Sequence, residues 1–270
     1  MSGSSARPVP VLSAAVEGIG YWSRGLPDWS AARAYALGDV APDSEAAPAR
    51  PSPQLLAANE RRRAPETVAV ALEVALAACH AAGRDPAALS SVFASSHGDI
   101  QITDYMCATL ATEPRTISPT RFHNSVHNAA AGYWTIGAGA MRPTTAISAL
   151  EASFAQGLIE ALTQIATGED AVLLVGYDGG AYGPLAEVAH SRGLLGAALV
   201  LSRARAGAPV LRIWLDDSAA AATPGRLAER EAANASAPML PLFEALAWRH
   251  DRVALPAGAG RSLRIELSHD

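Results

Sequence analysis

The sequence predicts an α/β fold: a mixed, mostly parallel sheet with an antiparallel edge, flanked by helices. Two observations predict it. Up to about residue 177, short apolar strand patterns alternate with helical ones, the order that builds βαβ units. Beyond that point two apolar runs, Gly196 to Ser202 and Val210 to Leu215, are joined by the turn Gly207-Ala208-Pro209, which reads as an antiparallel pair.

The elements follow in order. Pro10 to Val16 reads as a strand, and Tyr21 to Trp29 as a packed loop mixing aromatics with Gly and Pro. Residues 37–54 are rich in Pro, Ala, Ser and Asp without a period, the composition of a surface loop. Pro65 suits a helix first turn; Val68, Leu72, Ala75, Leu76 and Cys79 then share a face, and Gly83 ends the helix. Ser91 to Ser95 is a short buried strand, and Ile102 to Leu110 a helix. A loop, Ser118 to Asn128, leads into a small-residue helix from Ala129 to Ala138. Thr144 to Leu150 is a strand that turns sharply at Glu151 into a helix buried through Phe154, Leu158, Leu162 and Ile165 and ended by Gly168. Ala171 to Tyr177 is apolar throughout, as a central strand requires. Leu240 to Trp248 reads as a short helix and Leu263 to Leu267 as a last strand.

Composition narrows the function classes. The 270 residues are 50% hydrophobic and 17% charged, a globular balance. All 21 basic residues are arginine, scattered except for Arg61-Arg62-Arg63, and the net charge is −5. An acidic chain without a basic stripe is a poor nucleic-acid binder. No apolar run approaches the roughly 18 residues of a membrane span, and the amino terminus lacks the pattern of a signal peptide. Cys79 and Cys107 have no zinc-site spacing and read as free thiols of a cytoplasmic protein.

Several local patterns invite chemistry. Ser95, Ser96, His97 and Asp99 could supply a hydrolase with nucleophile, base and orienter, but triad members normally meet from separate segments, and no G-x-S-x-G elbow exists. His123 and His127 have helical i, i+4 spacing but lack the glutamate of a zinc-protease motif and a third ligand, so they read as structural imidazoles. Gly18-Ile19-Gly20 and Gly137-Ala138-Gly139 are incomplete nucleotide fingerprints. The Arg61–Arg63 run is a solvated helix start or an attractor for an acidic carrier protein or a phosphate. Glu151 stands at a strand-to-helix bend, where a carboxylate suits free helix N–H groups and where enzymes also present nucleophiles.

Three stretches in order resemble the N-terminal half of the β-ketoacyl synthases, which have the thiolase-like fold. They are Ser118-Pro119-Thr120 with His127-Asn128-Ala129-Ala130-Ala131-Gly132, then Thr144 to Ser153, then Gly168 to Gly176. Phe122 to Asn128 and Phe93 to Asp99 look more narrowly like a short bacterial branch associated with aryl-polyene and related type II polyketide or fatty-acid pathways. The best match spans 92–203. The resemblance implies a thiolase-like half-fold in one domain, 1–270, with the C-terminal catalytic half absent. It puts Glu151 where the family's nucleophilic cysteine stands and offers Ser153 as a weaker substitute, with His97, His123, His127 and Asn128 as candidate binding residues. A carboxylate does not replace a thiolate as acyl acceptor, and after Arg203 no His-Gly-Thr or Asn-x-x-x-Gly-His segment follows. The implied role is a non-condensing accessory or chain-length-factor-like subunit without cofactor or metal. Its implied partners are a complete ketosynthase or a second copy, and an acyl carrier protein. The enzymatic alternatives are an acyl-carrier decarboxylase using Glu151 and a Ser/His/Asp hydrolase. A lone half would also expose Gly157, Leu158, Ala161 and Leu162, which either the last 60 or so residues or a second chain must cover; a partner is the favoured cover.

Overall fold

The computed structural model describes residues 11–39, 47–203, 205–220 and 224–269. Its strands are β1 (Leu12–Ser23), β2 (Ser90–Ala94), β3 (Thr144–Ile147), β4 (Ala171–Asp178), β5 (Leu195–Ser202), β6 (Val210–Asp216), β7 (Arg252–Gly258) and β8 (Arg261–Ser268). Its helices are α1 (Trp29–Leu37), α2 (Ala58–Arg63), α3 (Glu66–Ala82), α4 (Ile100–Thr112), α5 (Pro119–Asn124), α6 (Ala129–Ala138), α7 (Ser153–Thr167), α8 (Arg226–Arg230) and α9 (Leu240–Trp248). The eight strands form one sheet in the order β3-β2-β4-β5-β1-β6-β8-β7.

The sheet is mixed and flanked by helices, but the expected parallel majority is reversed. Only β2 pairs in parallel, with β3 and with β4, while the other five of the seven pairings are antiparallel. The reason is topological. β1 to β4 all run one way, but β5 enters between β4 and β1 in the opposite sense. The expected hairpin of 196–202 with 210–215 is absent for the same reason, since β1 lies between β5 and β6. β1 itself continues through Tyr21 to Ser23, where a loop was expected, and α1 starts at Trp29 behind the cap Asp28. β7 was not foreseen, and the Ser118–Asn128 stretch contains α5. β3 stops at Ile147 rather than Leu150. Of the 37–54 loop, residues 40–46 lie outside the described residues, as does Pro10 of the first strand.

Two cores form, one on each face. On one face α3 lies against β1, β5 and β4, its Val70, Leu72, Val74, Ala75 and Cys79 sealed from solvent. Fully burying each of the valine and leucine side chains contributes roughly 1.5–3 kcal/mol. The approach is close because of Gly18 and Gly20. A Cβ at either would collide with a backbone carbonyl of α3, that of Ala78 or of Val74 respectively. The Gly18-Ile19-Gly20 pattern is therefore a packing device. On the other face α7 lies against β2 and β4, with Gly157 facing Leu174 and Ala94.

The apolar face of α7 has its cover within the chain, which overturns the preference for a partner there. Phe154 meets Phe243 of α9 with ring centroids 5.8 Å apart, and Phe243 meets Trp29 at 6.1 Å. Met239, Leu255 and Leu263 complete the same cluster. Gln156 of α7 donates to the Ala257 carbonyl of β7 at 3.0 Å. The last 30-odd residues thus replace what a second chain would supply.

Candidate functional site

Because β1 to β4 share a direction, their carboxyl ends meet at one end of the sheet, the place where α/β folds hold their functional loops. The loop after β2 and the bend after β3 are tied there. Ser148 donates to the Ser96 carbonyl at 2.9 Å, and the Ser96 hydroxyl donates to the Leu150 carbonyl at 2.9 Å.

The centre of this end is Asp178, fully buried at the end of β4. Its carboxylate accepts from the hydroxyls of Ser95 and Ser236, each at 2.7 Å, and from the backbone N–H groups of Ser96 at 3.0 Å and His97 at 3.2 Å. Four donors from two segments offset much of the penalty of burying a charge. Asn234 adds a bond from its amide to the Asp178 carbonyl at 3.2 Å. A single carboxylate therefore fastens the 234–236 turn to the 95–97 loop. Sequence reasoning missed it, although an acidic residue closing an otherwise apolar strand ahead of Gly179-Gly180 was a visible signal.

The hydrolase arrangement does not form. Ser95 is fully buried and spends its proton on Asp178, while its oxygen accepts from Gly98 N–H at 2.8 Å. A ring nitrogen of His127 lies 2.9 Å from the Ser95 carbonyl, an anchoring contact. Asp99 caps α4 through Ile102 N–H at 2.9 Å and accepts from Thr67 at 2.7 Å. His123 belongs to α5 and packs edge-on to Tyr133 of α6, so the two histidines part company. Among the described residues no three His, Cys, Asp or Glu side chains converge as a metal site would need. Asn128 starts α6 without making a side-chain cap.

The bend after β3 is where the elbow was expected, and Glu151 sits in it, exposed, in the single 3-10 turn Leu150–Ala152 that leads into α7. The hydrogen bonds that close the bend come from Ser153. Its hydroxyl donates to the Leu150 carbonyl at 2.6 Å and accepts from Ala149 N–H at 2.9 Å. That occupies Ser153 as a turn-closing group. The tip of the bend is Leu150, with φ +52° and a side chain 68% exposed. A positive φ is rare for a residue with a side chain, and a strained strand-to-helix turn is the geometry that holds a reactive group out of an α/β sheet. Here that geometry presents a leucine followed by a glutamate. No thiol is at hand in this bend. Cys79 is buried in α3, where burial pushes its thiol up to about 12, and Cys107 is on α4.

The family profile described as "Beta-ketoacyl synthase, N-terminal domain" matches residues 29–261. The chain belongs to that family. The match is wider than the 92–203 stretch on which the resemblance rested, and it takes in β7 and α9. Solved structures share the thiolase-like fold of this ketosynthase-family chain. A chain of the ketosynthase ApeO in complex with its chain length factor ApeC, from Xenorhabdus doucetiae, superposes with TM-score 0.74 at 23% identity, over 94% of this chain and 99% of that one. The ishigamide ketosynthase/chain length factor gives TM-score 0.72 at 13% identity, over 95% and 99%. A β-ketoacyl synthase from Burkholderia phymatum STM815 gives TM-score 0.57 at 14% identity, over 72% of this chain but 59% of that one. No curated protein matches the sequence. No helix among the described residues is long and apolar enough to cross a membrane.

Proposed function

We propose that this chain is a non-condensing, chain-length-factor-like accessory subunit of a type II polyketide or aryl-polyene-like pathway, working beside a complete ketosynthase and an acyl carrier protein in the cytoplasm. The observation that carries the reading is the elbow: the backbone of a nucleophile-bearing bend is kept, and Leu150-Glu151 stands in it without a thiol. Neither side chain forms a thioester, so condensation belongs to the partner. The α9, β7 and β8 segment packs down on α7 within this chain.

The lengths of the structural neighbours support the same reading. Chains from ketosynthase/chain length factor assemblies are spanned to 99%, whereas the Burkholderia ketosynthase is spanned to 59% and a bacillaene synthase ketosynthase from Bacillus amyloliquefaciens FZB42 to 47%. A neighbour described as a type II polyketide acyl carrier protein in complex with its ketosynthase is spanned to 100%.

The sheet edges support a reading of where a second chain attaches. β7 is a blunted edge, carrying Arg252, Pro256 and a register shift at Pro256/Gly258. β3 is the opposite edge, four residues of Thr144-Thr145-Ala146-Ile147 with neither charge nor proline. Ile136 and Met141 beside it are 78% and 95% exposed. The partner pairs at β3. Co-expression with the ketosynthase encoded alongside, followed by size exclusion, should give a 1:1 complex whose product changes when this chain is withheld. Separate elution with unchanged product would sink the proposal, and a dimer of this chain alone would replace the ketosynthase with a second copy.

A further inference from the structure

We infer that a small cavity beside Asp178, on the α3 face of the sheet, binds a leucine-sized apolar α-amino acid. The inference stands apart from the accessory-subunit reading, since the bend after β3 leads to α7 on the other face. The cavity encloses about 240 Å3 and is walled by the end of β1, the first turns of α3 and α4, and the β4–β5 connection. That is the carboxyl end of β1 and β4, where open α/β sheets hold ligands. The volume is below the roughly 300–1,000 Å3 of pockets for drug-sized molecules, so the occupant is small.

Its lining carries both signs of charge, and they do not meet. Arg24 follows β1, while Glu66 opens α3 and Asp99 caps α4. Among the described residues no ion pair joins Arg24 to either carboxylate. Two other cavities of mixed charge are cross-linked instead. In one, Arg84 holds both Glu17 and Asp170 at 2.7 Å. In the other, Arg264 lies 3.2 Å from Asp216 and Arg252 lies 3.4 Å from Glu266. Asp99 is fixed by uncharged donors only, the Thr67 hydroxyl at 2.7 Å and the Ile102 N–H at 2.9 Å, so its charge stays uncancelled. Opposite charges kept apart in one small cavity offer a pole for a carboxylate and a pole for an ammonium group. Trp22, Ile100 and Leu194 add apolar wall for a hydrocarbon side chain. A zwitterion with such a side chain matches all three features, whereas an acid or an amine alone leaves one pole unanswered. Gly180 keeps the space open. A Cβ there would sit in ordinary contact, 3.6 Å from both the Tyr182 hydroxyl and the Gly193 nitrogen, so alanine would take up room without a clash.

The test is calorimetric titration of the purified full chain with L-leucine, with isocaproate, which lacks the ammonium group, and with isoamylamine, which lacks the carboxylate. Leucine should bind at least tenfold more tightly than either of the others. Arg24→Gln should weaken leucine at least tenfold and leave isoamylamine unchanged. Glu66→Gln should weaken leucine several-fold and leave isocaproate unchanged. Gly180→Ala should weaken leucine at least tenfold by occupying the space. Arg33→Gln, at an exposed arginine of α1 outside the cavity, should change nothing. Circular dichroism melts confirm that each variant is folded, and leucine should slow hydrogen exchange in 99–102 and 179–182 of the parent. No binding of leucine by the parent overturns the inference, whether or not a ketosynthase complex forms. So does isocaproate or isoamylamine binding as tightly as leucine, and so does leucine binding left unchanged by both Arg24→Gln and Gly180→Ala.

Discussion

α6 and α7 are both short helices rich in small residues, one on each face of the same sheet, yet their fates differ. α7 buries Phe154, Leu158, Leu162 and Ile165 under segments from the last part of the chain. α6 buries Ala130, Ala131 and Trp134 against the sheet but leaves Ile136 in solvent beside an open groove. The difference teaches that the chain closes a core on both faces but leaves the outer side of α6 uncovered. That outer side adjoins the four-residue edge strand β3.

The largest expected effect breaks the closed side. Phe243→Ala, which removes a fully buried ring between Phe154 and Trp29, should cost about 3–5 kcal/mol in urea denaturation. The matching truncation on the open side, Ile136→Ala, should stay within about 0.5 kcal/mol. Equal losses would mean that α6 is as integral to the isolated fold as α7.

A second substitution sharpens the comparison by cutting the tail's polar tether without touching its apolar contacts. Asp178→Asn keeps the shape but loses the charge that accepts from Ser95, Ser236 and two backbone N–H groups. Unfolding should become easier by about 2–3 kcal/mol, since buried donors are left poorly matched. Hydrogen exchange should rise first in 234–236 and 95–98, before α3.

A smaller effect than that of Asp178→Asn probes a region that belongs to neither side. Glu17, at the bulge of β1, is gripped by Arg84 at 2.7 Å and approached by Arg205 at 3.3 Å. The Arg84 guanidinium holds its carboxyl down to about 2 from the usual 4.5, against the opposing effect of burial. A depressed carboxyl stabilises the fold above its unfolded value, and this contribution is lost as pH falls from about 4.5 toward 2. Glu17→Gln should therefore lower stability at pH 7 by roughly 1–2 kcal/mol, allowing for the partly exposed arginines. The gap to the parent should close in acid melts near pH 2.

Much of the fold was legible because burial writes itself into residue order. The runs at Ala171–Tyr177 and Leu195–Leu201 are apolar without interruption, and Gly83 and Gly168 end helices where a positive φ is needed. Less of the site was legible. Glu151 was found at the bend because strand and helix patterns meet there. Leu150 was not found as its tip, because leucine disfavours a positive φ and only the surrounding hydrogen bonds hold it there.

By itself, then, the sequence determined which segments are buried, where helices stop, and that no cysteine stands in the bend between β3 and α7. Only the tertiary structure decided that β5 would enter between β4 and β1, that Asp178 would join two loops far apart in the chain, and that the last segment would close over α7. Local pattern reports how much of a residue is hidden from water. Which surface hides it is a pairing between distant parts of the chain, and periodicity carries no record of that choice.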